Sequence, residues 1–430
     1  MNEALILALV FAVLLFAGVP ISFAIGSAAL AALLLSLDPA AATTVIAQRM
    51  ATGLDSFALL AIPFFILSGQ MMNRGGIARR LIDLAKVIVG RFPGGLAYVN
   101  VLGSMLFGSI SGSAVAAAAA IGGVMSPLMK REGYDRDFSA AVNISAAPIG
   151  LLIPPSNIMV VYSLASGGVS IAALFLAGYV PGLTLGLALM LVIAVMAKKH
   201  NFPVGEKIGA AAGFRIFLAS LPSLFLVALV MGGIILGWFT PTEASAIAVA
   251  YTFVLSVLVY REIQWGELPR LLTDSAATTA IVLLLVGTSM GMSWVMSSAN
   301  IPQAITSGLL ALSDNPIVLL LIINLMLLVV GTFMDMTPAV LIFTPILLPV
   351  VQKFGMTPLQ FGLVLIFNLC IGLCTPPVGS CLFVGCGVAN TTIAKVWHPL
   401  IPFFLAMVFV LLLVTFWPPL STALPKALGF

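Results

Sequence analysis

The chain has 430 residues, of which 61% are hydrophobic and 7% are charged, and its formal net charge is +4. A soluble domain carries roughly 25% charged residues, so this composition excludes a water-soluble protein. The long apolar runs do not alternate with polar positions, which excludes a membrane β-barrel and predicts an all-α integral membrane protein. The small positive charge indicates no nucleic-acid partner, because the basic residues lie in loops between apolar runs.

The first 36 residues predict either one long helix kinked at Pro20 or two short spans. Pro20 aligns with Pro241 when the internal repeat described below is shortened by one residue, and this favours two spans. The apolar N-terminus has no basic region before it, so we expect no cleavable signal peptide.

Residues 77–89 are predicted to form an amphipathic surface helix. Its apolar face carries Ile77, Leu81, Leu84 and Ile88. Such a helix lies in the plane of the lipid headgroups and could brace a moving unit, but an ordinary loop helix explains the pattern equally well. Residues 265–275 occupy the comparable place in the second half of the chain.

Two pairs of short apolar arms predict re-entrant helical hairpins. The arms are 95–112 and 114–129 around "GSISGSAV", and 316–332 and 336–352 around "GTFMDMTPAV". Arms of about 17 residues are at the lower limit for crossing a bilayer, so each pair is expected to return to its own side. The hairpins therefore cover residues 95–129 and 316–352.

The segment between the hairpins predicts five crossings, the first of them broken. These are residues 138–168 (broken), 171–197, 214–238, 242–260 and 276–298. An odd number of crossings between two similar segments makes them opposite in orientation.

Two segments of the chain are similar at a fixed offset. A gapless shift pairs Pro127 with Pro349, Gly133 with Gly355, Gly150 with Gly372, Pro154 with Pro376, and Pro155 with Pro377. Gly and Pro determine backbone geometry, so these pairs carry more weight than apolar matches, although chance similarity between apolar segments is the alternative. We expect one transporter domain over residues 1–430, with inverted repeats at about 1–200 and 214–430.

The distribution of basic residues predicts which side faces the cytoplasm. One side carries Arg74, Arg79, Arg80, Lys86, Arg91, the loops "KREGYDR" and "YREIQW", and the stretch from Lys198 and Lys199 through Lys207 to Arg215. The other side carries Arg49, Lys353 and the lysine near the C-terminus. Cytoplasmic loops carry the excess of Lys and Arg, so the first side is expected to be cytoplasmic.

The double prolines predict that two helices open inside the bilayer. Pro154-Pro155 and Pro376-Pro377 each remove two backbone donors, and a glycine precedes each pair. Carbonyl groups freed at membrane depth must be buried in protein or bound by a ligand. A small cation such as Na⁺ suits such oxygen ligands.

The tips of the hairpins carry the polar groups that could complete these sites. The first tip has Ser109, Ser111 and Ser113, and the second has Thr332, Asp335 and Thr337. A carboxylate at mid-membrane costs about 2.5–3.5 kcal/mol on insertion scales, which a bound cation would offset. Asp335 is interpreted as an ion or solute ligand; the alternative is an N-cap, with Thr337-Pro338 as the helix start.

Other polar residues near the breaks are candidates for binding a solute. They are Asn143, Ser156, Asn157 and Ser380. Ordinary hydrogen bonding between helices is the alternative for each. Apart from Arg215 at the start of the span at 214–238, no Lys or Arg lies inside the predicted spans, so an anion would depend on hairpin helix N-termini, hydroxyls, amides and bound cations.

Several features favour structural roles. "TPTE" at 240–243 is a capping box that explains Glu243, and "TPLQ" at 357–360 has the same form. The four cysteines, all between 370 and 386, are interpreted as buried apolar thiols rather than metal ligands. The chain has no Gly-Lys dipeptide, which excludes a Walker A loop and ATP hydrolysis by this subunit.

The motifs "GLLIPPS", "GLCTPPVG" and "GWFTPTEA" resemble the large membrane (M, or DctM-like) subunit of tripartite ATP-independent periplasmic (TRAP) transporters. The resemblance extends from "GVPISFAIG" at 18–26 almost to the C-terminus. It implies a secondary transporter in the bacterial inner membrane that imports an organic acid, with no cofactor and with Na⁺ as coupling ion. It also implies a separate small four-helix membrane subunit, a periplasmic binding protein and an elevator mechanism.

The family pattern also implies two Na⁺ sites. One comprises Ser111, Ser113, Gly150, Ile153 and Pro155. The other comprises Phe333, Asp335, Gly372, Thr375 and Pro377. The family transports C4-dicarboxylates and sialic acid, and the sequence does not decide between them; sialic acid is the weak preference.

Three other functions remain as alternatives. A stand-alone divalent-anion/Na⁺ symporter has a similar fold and would need no binding protein. An enzyme is not expected, because Asp335 has no His, Lys or Glu in its own segment to act with. An ion channel would not need paired hairpins.

Overall fold

The computed structural model describes residues 3–430 except 201, 203, 205–207 and 314. Lys207, which was counted on the basic side, therefore lies outside the described residues. The described chain is helical, with one isolated β-bridge between Pro93 and Val204. The helices are α1 (Glu3–Phe16), α2 (Ile21–Leu33), α3 (Pro39–Leu54), α4 (Ala61–Arg74), α5 (Ile77–Val89), α6 (Gly95–Ser111), α7 (Ala114–Arg131), α8 (Arg136–Ala146), α9 (Ile149–Leu152), α10 (Asn157–Ala165), α11 (Ile171–His200), α12 (Ala210–Ile235), α13 (Pro241–Phe253), α14 (Leu268–Ser298), α15 (Ile301–Leu312), α16 (Pro316–Phe333), α17 (Met336–Lys353), α18 (Pro358–Gly372), α19 (Ser380–Ala389), α20 (Ile393–Phe416) and α21 (Pro419–Ala427).

The lengths of these helices confirm a multi-pass membrane fold. Among the described residues, eight helical segments are long and apolar enough to cross a bilayer, and the bent pair Arg136–Leu152 and Asn157–Ala165 makes a ninth candidate. The helix axis bends by 53° between the two parts of that pair. All five crossings predicted between the hairpins correspond to helices. The fourth continues from α13 through a π-helix at Val254–Val259, and the fifth begins at Leu268, eight residues before the predicted start.

Both hairpins have the arms that the sequence predicts. α6 and α7 pack on each other and are joined at Gly112, whose φ of 62° suits glycine. α16 and α17 also touch, and they are joined through Met334 and Asp335 in extended conformation. The re-entrant path and the inverted orientation of the repeats stay predictions.

Both predicted helix breaks are confirmed. Helix α9 ends at Leu152 and α10 begins at Asn157, while α18 ends at Gly372 and α19 begins at Ser380. Each gap contains its Pro-Pro pair, and the Pro-Pro peptide is cis in both. The missing proline N–H groups account for the interruption of the helical hydrogen bonds.

The N-terminus forms two helices rather than one kinked helix. α1 has 14 residues and α2 has 13, and the two pack against each other. Both are shorter than the roughly 20 residues that a perpendicular span requires.

The first surface helix has the predicted bounds but packs on protein. Helix α5 contacts α6 and α12, and Ile77, Leu81 and Leu84 are buried there. Ile88, the fourth residue of that apolar face, lies in the last turn of α5 and is half exposed.

The prediction of a separate surface helix at 265–275 is wrong. Trp265–Glu267 is a short 3-10 turn that leads directly into α14, a continuous helix of 31 residues. Pro269 stands in the first turn of α14, where proline is tolerated, and no proline follows it to end the helix before residue 298. Helix α15 was not predicted.

One of the two predicted capping boxes is complete. The Thr240 side chain accepts a hydrogen bond from the Glu243 N–H, and Glu243 accepts from the Thr240 N–H. Thr357 likewise caps α18 by accepting from the Gln360 N–H. The Gln360 amide instead donates to the carbonyls of residues 414 and 415, so the second motif is a cap without the reciprocal bond.

Candidate functional site

Both hairpin tips and the first helix break open on one cavity of about 700 Å³. Its wall is formed by α4, the two tips, the start of α10 and the first half of α14. Its polar lining residues are Gln70, Asn73, Arg74, Ser111, Ser113, Asn157, Asp274, Thr278, Asp335 and Thr337. Five of these, Ser111, Ser113, Asn157, Asp335 and Thr337, are site residues predicted from sequence.

The first tip is held by a cap and by close packing. Ser113 is the N-cap of α7, and its Oγ accepts a hydrogen bond from the Ala116 N–H at 3.2 Å. A methyl group at Gly112 would lie 3.2 Å from the Asn157 side-chain nitrogen, so the Asn157 amide lies against the tip. Tip and break therefore form one continuous polar wall.

The second tip presents the carboxylate of Asp335 to the cavity. Asp335 is the N-cap of α17, and its Oδ1 accepts from the Met336 N–H at 2.9 Å. The proposed start at Thr337 is wrong, because α17 begins at Met336. Asp335 is also exposed to the cavity, so it does not bear the full cost of burial in lipid that the sequence suggests.

A glycine pair joins each break to the first arm of its hairpin. A methyl group on Gly150 would lie 2.2 Å from the Gly108 Cα. A methyl group on Gly372 would lie 2.4 Å from the Gly331 carbonyl carbon. Backbone thus contacts backbone at both places, which only residues without a Cβ permit.

Four predicted residues hold polar atoms that are buried without a hydrogen-bond partner. The atoms are Ser111 Oγ, Asn143 Oδ1, Ser156 Oγ and Ser380 Oγ. Most buried polar side-chain atoms have a partner, and an unpaired one is costly. Oxygen atoms of this kind at both breaks and at the first tip fit a small cation or a hydroxyl-bearing solute.

The remaining predicted residues are placed differently. Ser109 donates its hydroxyl proton to the Leu106 carbonyl in its own helix, and Thr375, in the second break, donates to the Ile371 carbonyl of α18. Ile153 is buried, Pro155 is buried away from the main cavity, and Phe333 and Pro377 are exposed. Six of the predicted Na⁺ ligands do not line the main cavity, so they could bind an ion only through their backbone carbonyls. They are Gly150, Ile153, Pro155, Phe333, Gly372 and Pro377.

Sequence reasoning missed an ion pair in the cavity wall. Arg74 Nη2 donates to Asp274 Oδ2 at 2.7 Å. Arg74 is the last residue of α4 and belongs to a candidate span, which corrects the expectation that no arginine except Arg215 lies in a span. Asp274 lies in the second turn of α14.

Residues 8–420 match the family described as "Tripartite ATP-independent periplasmic transporter, DctM component". The uncharacterized protein YgiK of Salmonella typhimurium is 57% identical, with 96% of this chain and 95% of that protein covered. The C4-dicarboxylate TRAP transporter large permease protein DctM of Pseudomonas aeruginosa is 39% identical, with coverage of 87% and 88%. The sialic acid TRAP transporter large permease protein SiaM of Vibrio cholerae is 37% identical, with 96% of each chain covered.

A solved structure shares the overall fold. The crystal structure of the YdaH transporter of Alcanivorax borkumensis superposes with a TM-score of 0.67. The alignment covers 90% of this chain and 91% of that one, at 14% sequence identity. The likeness supports a helical transporter architecture and no finer functional statement.

Proposed function

Because the chain belongs to the DctM component family of tripartite ATP-independent periplasmic transporters, we propose that this large permease subunit imports an organic acid by Na⁺ symport. The single observation that carries the proposal is the common cavity on which both hairpin tips and the first helix break open. Binding sites between broken helices are the arrangement that secondary transporters use.

The proposed Na⁺ sites lie where tips meet breaks. The first uses Ser111 and Ser113 with the backbone near Gly150, Ile153 and Pro155. The second uses Asp335 with the backbone near Phe333, Gly372, Thr375 and Pro377. Support comes from the Gly108–Gly150 and Gly331–Gly372 contacts, which bring each first arm to its break, and from the unpartnered Ser111 hydroxyl.

The proposed solute is a carboxylate, with a C4-dicarboxylate and sialic acid as the two candidates. Relatives named for these two acids match at 39% and 37% identity, so similarity favours neither clearly. Ser109, Asn143, Ser156, Asn157, Thr337 and Ser380 are the proposed contacts. Of these, Asn157 and Thr337 line the cavity, while Asn143, Ser156 and Ser380 supply unpartnered polar atoms close to the breaks.

The proposed assembly and mechanism follow the family. A separate small membrane subunit and a periplasmic binding protein would complete an inner-membrane transporter, and the hairpin and broken-helix unit would move as an elevator. The close packing of each hairpin arm on a broken helix supports movement as one body, because such contacts cannot open without separating backbone from backbone.

Uptake into proteoliposomes tests the proposal. The chain is reconstituted with its small membrane subunit, and import of radiolabelled succinate and N-acetylneuraminate is measured with and without a Na⁺ gradient and the binding protein. We expect accumulation of one acid only when all components and Na⁺ are present. Uptake without the binding protein would favour the stand-alone symporter, and uptake that ignores Na⁺ would contradict the coupling.

A further inference from the structure

The Arg74–Asp274 ion pair connects two helices across the wall of the cavity. Its members are 200 positions apart in sequence, on α4 and α14, which pack on each other. The two side chains are 42% and 44% exposed, although they touch at 2.7 Å. A solute inside the cavity can therefore reach both charged groups.

The charges in the cavity do not suit an anion unless Arg74 is available to it. Among the lining residues that the structure describes, Arg74 is the only Lys or Arg, whereas Asp274 and Asp335 are both acids. Like charges repel strongly where water is scarce. The proposed Na⁺ ions would offset part of this negative charge, and among the described lining residues Arg74 is the side chain that can bind a carboxylate directly as a cation.

The guanidinium of Arg74 has N–H donors that the ion pair with Asp274 does not use. It donates to Asp274 through one terminal nitrogen. A guanidinium carries five N–H donors in a planar fork that matches a carboxylate with two parallel hydrogen bonds. Gln70 and Asn73 line the cavity on the same helix, and Gln70 is four residues before Arg74, on the same helix face. Their amides are further hydrogen-bonding groups in the same wall of the cavity.

We infer that Arg74 is the cation that binds the carboxylate of the transported acid, and that Asp274 is the counter-ion it holds when the acid is absent. The inference rests on the proposed function and names the anchoring group of its solute. Exchange between two carboxylates keeps the guanidinium paired at every stage. The guanidinium therefore has a carboxylate partner both with and without the acid, so the exchange favours release as well as binding.

Equilibrium binding to the purified membrane subunits tests the assignment. Radiolabelled succinate and N-acetylneuraminate are the probes, and their binding is measured by scintillation proximity in saturating Na⁺. The variants are then tested with the acid that the wild-type protein imports. The variants are Arg74→Gln, Arg74→Lys, Asp274→Asn and the double variant Arg74→Gln/Asp274→Asn. Arg79→Gln is the matched control, because Arg79 is exposed on α5 and does not line this cavity.

We expect Arg74→Gln to raise the Kd for the acid at least tenfold, and Arg74→Lys to raise it less. Asp274→Asn should bind the acid no more weakly than wild type, because it removes a competitor for Arg74. The double variant carries no unpaired charge, so it should fold normally and still bind the acid at least tenfold more weakly. Arg79→Gln should leave the Kd unchanged.

The outcomes separate two kinds of failure. If the wild-type protein imports and binds an acid and the folded double variant binds it within twofold of wild type, the assignment of Arg74 is wrong and the proposed function stands. A tenfold loss of binding in Asp274→Asn would overturn the counter-ion role. If the wild-type protein neither imports nor binds either acid, the proposed function fails and the inference falls with it.

Discussion

Gly331 and Gly372 touch through their backbones: a methyl group on Gly372 would lie 2.4 Å from the carbonyl carbon of Gly331. Gly331 is near the end of the first arm of the second hairpin, and Gly372 is the last residue before the second break. Gly108 and Gly150 make the corresponding contact in the first half. The contact with a hairpin arm therefore fixes the position of the backbone at each break.

Gly372→Ala should destabilise the folded protein. The neighbour that the new methyl group meets is main chain, which cannot rotate away as a side chain can, so one helix must shift. Overpacking of this kind costs about 1–3 kcal/mol. A lower thermal midpoint of the purified protein would show it. Gly123→Ala in α7 is the control, because its methyl group would meet no atom within 4 Å; equal effects of the two substitutions would contradict the contact.

The hairpins and breaks could be predicted because they depend on local sequence. Gly112 and the double prolines interrupt helices through backbone geometry that the residue type itself imposes. The predicted arm at 114–129 accordingly differs by two residues from α7, which runs from Ala114 to Arg131.

The features that were missed depend on tertiary contacts. The sequence around Arg74 does not indicate that it pairs with Asp274, because the pair forms only when α4 packs on α14. The continuity of α14 was missed because "WGELPRLL" has a polar first turn that resembles a surface helix. The serine oxygens near the breaks were found from position alone, and their lack of partners appears only in the folded protein.

Asp335→Asn should abolish Na⁺-dependent uptake without unfolding the protein. Asn is as good an N-cap as Asp, so the hydrogen bond from the Met336 N–H is retained while the negative charge is lost. Asp335→Ala should lose uptake and also about 1 kcal/mol of stability, because it removes the cap. Uptake by Asp335→Asn with the Na⁺ dependence of wild type would show that the carboxylate has no part in coupling.

Asp83→Asn is the matched control for that experiment. Asp83 lies on α5, where it pairs with Lys86 at 3.4 Å, and it does not line the cavity. Its loss removes one carboxylate from the same protein at a partly exposed site, where an ion pair contributes at most about 1 kcal/mol. Uptake and its Na⁺ dependence should both stay at wild-type values.

Val115→Cys should report occupation of the cavity. Val115 lines the cavity beside the first tip and is 36% exposed, whereas all four native cysteines are buried and give little background reaction. We expect a membrane-impermeant maleimide to label this variant, and Na⁺ with the transported acid to slow labelling. Val99→Cys is the matched control, since Val99 is fully buried on α6; labelling of both variants at one rate would contradict the cavity.

A buried amide pair fixes the second hairpin to its broken helix. Asn368 Nδ2 on α18 donates to Asn324 Oδ1 on α16 at 2.7 Å, and Asn324 Nδ2 donates to Thr415 on α20 at 3.2 Å. Both asparagines are buried. The proposed elevator would need α16 and α18 to move as one body, and a buried polar network between them resists their separation.

Replacement of both asparagines should therefore cost less than the sum of the two single replacements. Asn324→Leu removes the acceptor of Asn368 and should lower stability by about 1–3 kcal/mol, because it leaves a buried polar group with fewer partners. In Asn324→Leu/Asn368→Leu both polar groups are gone, so the loss should be smaller than the sum of the single losses. The thermal midpoints of purified Asn324→Leu, Asn368→Leu and the double variant measure this coupling. Additive losses would show that the pair does not hold α16 and α18 together.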